Sequence, residues 1–226
     1  GEGNNFTVNN LTSIDQTTDT PTNNFSTMNP LYKFYSNNTY SEGNVKISES
    51  VGSAWSGAIG TMGVSQGKWY WEVKLTGTMT GTTLGVIDSS VNISSINPQL
   101  LTGTTLFYNA SGGQMRVDGT ASGSYGTFLS GDIMGIALDM DAGSYGQISI
   151  YKNGTALVSN FNLSSSSDTV LPFSSLISAT NEYNFGNAPY TITPPGNSDA
   201  NGYGNFEYEP PSGYYALCTK NLAEYG

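Results

Sequence analysis

Ionisable and nucleophilic side chains are scarce in this chain, and their spacing decides what chemistry is open to it. The chain has no histidine. That removes Ser-His-Asp and Cys-His catalysis, histidine-ligated metals and imidazole pH switching together. Cys218, the single cysteine, lies in an apolar run over residues 216–219 with no base nearby in sequence. It is expected to be a buried, inert thiol rather than a nucleophile, and it can form no intrachain disulfide. Paired carboxylates remain. Glycoside hydrolysis needs two carboxyls about 5–5.5 or 6.5–9.5 Å apart across a cleft. Asp139 and Asp141 share a face if their strand runs that far, yet they fall in a turn, where Asp caps backbone amides. Glu72 faces away from Trp69 and Trp71, next to Lys74, and reads as a solvated residue or an ion-pair partner. Asp139, Asp141 and Gly143 make the opening D-x-D-x-G of a calcium loop, but the later ligands are missing, including a terminal bidentate Glu. The expectation is no catalytic residue, no metal and no cofactor.

Binding chemistry is better supplied. Tyrosine pairs a broad apolar face with a hydroxyl, so it can stack on a sugar or anchor a protein contact. Tyr108, Tyr125, Tyr145 and Tyr203 are placed in or beside loops, where recognition residues usually sit. Arg116, the only arginine, falls in a predicted hairpin near Asp118. These five are the candidate ligand-binding residues, with packing or a solvated edge as the competing role for each. Asn-x-Ser/Thr triplets begin at Asn5, Asn92, Asn109 and Asn153, but a chain this rich in Ser and Thr produces several by chance.

The elements that must position these residues are strands. At 226 residues one large all-β domain is the better reading than two small ones, and it buries enough surface to hold a core without staples. Charged residues make up 11% of the chain, against about 25% in an ordinary soluble domain. Polarity comes from Ser, Thr, Asn and 28 glycines, while 15 tyrosines, 9 phenylalanines and 3 tryptophans argue against disorder. The net charge of −10 repels phosphate backbones and anionic membranes, so nucleic-acid binding is excluded. No run approaches the ~18 apolar residues of a membrane span. The opening GEGNNFTVNN lacks signal-peptide regions and an initiator Met, which implies a processed chain or part of a longer polypeptide.

Two stretches carry the strongest pattern. GKWYWEVKL at 67–75 alternates strictly, with Trp69, Trp71, Val73 and Leu75 on one face and Tyr70, Glu72 and Lys74 on the other. GDIMGIALDMDAGSYGQISIYKNG at 131–154 holds a nearly continuous apolar strand, an acidic turn, and a strand ending at Asn153-Gly154, a strong hairpin signal. Strands are predicted at 45–47, 57–64, 68–75, 83–87, 105–109, 114–117, 133–138, 147–152, 155–159 and 182–185. Ser111-Gly112-Gly113 and Asp118-Gly119 supply turns. Short helical turns are allowed only near 96–101 and 174–176. Residues 1–43 form an extension with turns at Asp19-Thr20-Pro21 and Asn29-Pro30. Short apolar groups, Phe6, Val8 and Leu11, then Phe25, Met28 and Leu31, pin it as a clasp. Residues 187–226 are irregular, interrupted by Pro194-Pro195 and Pro210-Pro211, with tyrosines to anchor a long wrap.

Over 44–186 the chain resembles the SPRY domain. The motifs are GKWYWEVKL, LGVID at 84–88, Gly131-Asp132, ALDMD at 137–141, YKNG at 151–154 and NFG at 184–186. The resemblance implies an all-β, concanavalin-like antiparallel β-sandwich that binds other molecules and performs no chemistry. The flanks sharpen it. NNFTVNNLTS, DTPTNN at 19–24, MNPL at 28–31 and NGYGNFEYEPPSGYYALCTKNL at 201–222 are similar to segments around SPRY cores in structural proteins of tailed bacteriophages. Ser144-Tyr145-Gly146 departs from the pattern by lengthening its turn. The resemblance implies a virion location, after synthesis in host cytoplasm, on a tail fibre or related appendage. Its expected partners are other virion subunits and host-surface glycan or protein, with a homo-oligomer, trimeric if a fibre. A purely structural decoration or assembly module is the alternative, and a carbohydrate-binding module of a larger cell-surface protein is a third.

Overall fold

Strand pairing divides the described part of the chain into two antiparallel sheets. The computed structural model describes residues 19–32, 37–52, 54–91, 97, 100–109, 112–165 and 168–226. The apolar group Phe6, Val8 and Leu11 lies outside them, as do residues 96, 98 and 99 of the turn predicted at 96–101. In spatial order the first sheet holds β1 (Thr39–Ser41), β2 (Lys46–Glu49), β13 (Ala179–Asn184), β4 (Lys68–Gly77), β9 (Ile133–Asp139), β10 (Gln147–Lys152) and β11 (Thr155–Asn162). β14 (Tyr215–Ala216) runs parallel beside Trp69 and Tyr70 at the start of β4. The second sheet holds β3 (Ser56–Ile59), β12 (Val170–Leu176), β5 (Thr82–Asp88), β6 (Thr104–Tyr108), β7 (Gln114–Val117) and β8 (Thr120–Ser122). A seven-residue helix, α1 (Thr219–Tyr225), ends the chain.

Period-two alternation explains the core. Trp69, Trp71, Val73 and Leu75 point between the sheets, where they meet Ile136, Leu138, Ile148 and Ile150 of the neighbouring strands and Leu84, Phe107 and Met115 from the facing sheet. Trp71 lies 6.2 Å from Phe185, and Phe185 stacks on Tyr183 at 5.8 Å. Two hairpins follow their turn residues. Lys152 pairs with Thr155 around Asn153 (φ 48°) and Gly154 (φ 77°), and Val117 pairs with Thr120 around Asp118 (φ 51°) and Gly119 (φ 77°). Positive φ at both central residues is what a two-residue turn needs to match strand twist, and Asn-Gly and Asp-Gly reach it at least cost.

Several strand expectations shift. The turn predicted at 174–176 is the end of β12, a strand inside the second sheet between β3 and β5. Its Pro172 lies just past the last β3 pair, Phe173 with Ile59, and would pack directly against a Cβ at Gly60. Its serines are strand residues with partners on both faces: Ser174 bonds Tyr183, and Ser175 bonds Thr83. The strand predicted at 57–64 stops at Ile59, with Val64 making an isolated bridge to Val170. β11 continues to Asn162 through a bulge, and β13 begins at Ala179.

The largest correction concerns Glu72. It is fully buried rather than solvated, and no lysine or arginine among the described residues lies within ion-pair distance of it. The C-terminal segment crosses the outer face of the first sheet and closes over it. The backbone N–H of Tyr208 donates to Glu72 Oε1 at 2.8 Å, and that of Glu207 donates to Oε2 at 2.9 Å. Asn184 Nδ2 donates to Oε2 at 3.1 Å, Tyr70 Oη to Oε1 at 3.3 Å and Tyr190 Oη to Oε2 at 3.4 Å. Phe206 packs edge-on to Tyr70 at 5.2 Å. Further on, the segment pairs with the N-terminal clasp: Ser26 N–H donates to Leu217 O, and Thr219 N–H donates to Asn24 O, both at 2.9 Å. The clasp and the wrap are therefore one structure.

Burial raises the Glu72 carboxyl above its ordinary range, more than the hydrogen bonds from Glu207, Tyr208, Asn184 and Tyr70 lower it. A carboxyl raised in the fold binds its proton more tightly there than when unfolded. Its contribution to stability thus grows as pH falls through the raised value toward 4.5, and shrinks as pH rises. Glu72→Gln turns one acceptor into a donor facing other donors, and is expected to cost about 2–4 kcal/mol in denaturant unfolding. The deficit should be larger near pH 5 than at pH 8. A deficit that shrinks toward acid would show the carboxyl to be held low instead.

Candidate functional site

Two of the five predicted binding residues come together on the outer face of the second sheet. Across that sheet Tyr108 aligns with Thr83, Thr83 with Ser175, and Ser175 with Gly57. Alternation puts Trp55, just before β3, on the same face as Gly57. Two strands separate β3 from β6, but the intervening residues are small, so the large rings lean together above them. Trp55 and Tyr108 approach to 6.0 Å between centroids at 62°, an edge-to-face pair. Thr83 and Ser175 satisfy each other beneath through a 2.7 Å hydroxyl contact. Arg116 on β7, which pairs with Leu106 two residues before Tyr108 on the same face, sets its guanidinium 5.3 Å from the Tyr108 ring centroid, and its Nη1 donates to Gly119 O at 2.9 Å. All three side chains are half-buried. The surface therefore offers two amphipathic rings and a guanidinium, held from several strands.

One row further along the same face lies an apolar cluster of Ile59, Ile87, Leu101, Leu106 and Phe173. The clasp covers part of it: Asn29 N–H donates to Ile59 O at 2.7 Å, and Tyr32 Oη donates to Val91 O at 2.9 Å. Leu100 stands exposed beside Gly119 at the rim.

The other three candidates lie elsewhere. Tyr125 packs edge-on to Phe161 of β11 at 6.5 Å. Tyr145 stands in the lengthened turn between β9 and β10 and is 46% exposed. Tyr203 belongs to the C-terminal wrap, under the Lys220 ammonium at 5.4 Å. Trp55 was missed because it stands in SAWSG, where no alternation marks it. A lone tryptophan among small polar residues, outside any core pattern, is the signal that would have found it.

Residues weighed for chemistry are engaged structurally. Asp141 Oδ1 accepts from Gly67 N–H at 2.9 Å, and Asp139 accepts from Asp141 N–H at 3.0 Å while pairing with Lys68 Nζ at 2.9 Å. Cys218 is buried, and burial pushes its thiol up, away from the reactive thiolate. Asn109, at the head of a glycosylation triplet, is buried, with its amide bonded to Met79 O and Phe128 O. Among the described residues no three His, Cys, Asp or Glu side chains gather as a metal site, and no helix is long and apolar enough to cross a membrane.

The stacked sheets and their order define a concanavalin-like sandwich of the SPRY type. A family model described as the SPRY domain matches residues 68–188, more than half of the chain, and the chain belongs to that family. The SPRY domain of human HERC1 is similar in structure, with a TM-score of 0.56 at 19% identity, covering 69% of this chain and 96% of that one. The TRIM65 PSpry domain is similar at a TM-score of 0.54 and 16% identity, covering 71% and 89%. Comparison with curated proteins finds no match. SPRY domains are in general interaction modules.

The position of Trp55 can be checked directly. Trp69 and Trp71 are buried and Trp55 is not, so acrylamide should quench mainly Trp55. In Trp55→Phe the quenchable fluorescence should largely disappear. Unchanged quenching would place Trp55 in the interior.

Proposed function

We propose that the chain is a non-catalytic recognition domain displayed on a tailed-bacteriophage virion, meeting host-surface glycan or protein through the Trp55–Tyr108–Arg116 surface. The observation that carries the recognition reading is the assembly of Trp, Tyr and Arg on one rigid sheet face. These are the residue types enriched where a few side chains dominate binding energy. Family membership supports it, because SPRY domains generally bind. The virion setting rests on the two flanks and their similarity to phage structural proteins. Non-catalytic character rests on the absence of histidine from the sequence and on the structural engagement of Glu72, Asp139, Asp141 and Cys218.

A specific observation favours a second reading, contact with other virion subunits. β8 and β11 are each an end strand of their sheet. Residues 119–130 and 153–167 around them contain no charge, in a chain of net charge −10. Edge strands that must stay unpaired usually carry charge or proline.

The test is binding of purified chain to intact host cells, with free surface polysaccharide as competitor. Trp55→Ala and Tyr108→Ala should each weaken binding about 30-fold or more, at unchanged far-UV circular dichroism. Full binding by both variants, or none by the wild type at high concentration, would contradict the surface assignment. Association with purified particles in the absence of cell binding would favour the assembly reading.

A further inference from the structure

Beneath the Trp55 strand, polar side chains from both sheets converge in the interior. Asn38, just before β1, donates through Nδ2 to Gly57 O at 2.9 Å, across to the second sheet. Its Oδ1 has no hydrogen-bonding partner in the protein. The same holds for Tyr40 Oη on β1, Ser56 Oγ on β3 and Asn181 Oδ1 on β13, all buried at the atom. Asn38, Ser56 and Asn181 are themselves more than nine-tenths buried. The four belong to one neighbourhood. Tyr40 and Asn181 both pair with Ile47 of β2, so they share its inward face. Ser56 is the residue before Gly57. The Tyr40 hydroxyl is pushed up by burial and pulled back by the adjacent Asn38 side chain, and it also raises Tyr183. Asn181 Nδ2 in turn donates to Ser174 Oγ at 3.2 Å, joining the group to β12.

Two amide oxygens that can only accept and two hydroxyls that can donate make a specific complement. An apolar guest would leave all four unpaired, and an anion would face two carbonyl oxygens. A water molecule has two protons for the oxygens and two lone pairs for the hydroxyls, and buried waters make two to four such bonds. We infer that Asn38, Tyr40, Ser56 and Asn181 form a built internal solvent site, and that bound water ties edge strand β1 to β3 directly under Trp55. The site holds the base of the recognition surface. It stands independently of what that surface binds, since its evidence is interior.

Tyr40→Phe and Ser56→Ala separate the alternatives by sign. If water is held, removing a hydroxyl takes away one of its bonds, and each variant should raise the unfolding equilibrium constant about 3- to 10-fold. If the cluster is dry, each variant deletes an unsatisfied buried group and should lower that constant. A crystal structure at high resolution should show ordered density within hydrogen-bonding distance of at least three of the four atoms. Density absent from the wild type, or stabilisation by both variants, overturns the assignment.

Discussion

A buried carboxylate with no cation beside it is costly to the fold unless donors surround it. Glu72 meets that condition by recruiting the main chain. Two of its five donors are consecutive backbone amides from the far end of the sequence, which fixes the direction and register of the segment that carries them. That segment brings Phe206 onto Tyr70 and leads to β14 beside β4 and to the pairing with the clasp. A single side chain thus converts one outer sheet face into interior. The first sheet is covered on both sides across its middle, and this explains why β4 is buried on both faces, at every position from Trp69 to Val73.

Covering that face leaves the outer face of the second sheet as the broad surface on which rigid strands present large side chains. There too the covering is selective. Val91 and Leu101, from the two ends of the connection between β5 and β6, pack with Leu106 and Phe173, whereas Trp55, Tyr108 and Arg116 stay half-buried. A surface that spans five neighbouring strands, with small residues as its floor, can hold its rings in place before a partner arrives, which limits the ordering cost of binding.

Much of the fold was legible because its strongest strands obey simple periodicities. β4 alternates, β9 is continuously apolar between two neighbours, and Asn153-Gly154 and Asp118-Gly119 turn where such pairs should. β12 was hidden by a proline and two serines, which contradict strand propensity until Gly60, Tyr183 and Thr83 are in place around them. Glu72 was misread because a charge at an outward position signals solvent. Two of its donors lie 135 and 136 residues away and are backbone amides, which leave no trace in side-chain pattern. The binding surface was half legible. Tyr108 and Arg116 were marked as an aromatic and a lone cation near a hairpin, but their meeting with Trp55 depends on sheet register that local sequence does not encode.

Amide hydrogen exchange at residues 207 and 208 tests the central claim most directly, because those two N–H groups are what Glu72 holds. The wrap as an integral part of the sandwich predicts protection within about tenfold of the β4 amides in the native state. Exchange at the rate of an exposed loop, with β4 still protected, would contradict it, showing a segment that lies on the sheet without being fastened to it.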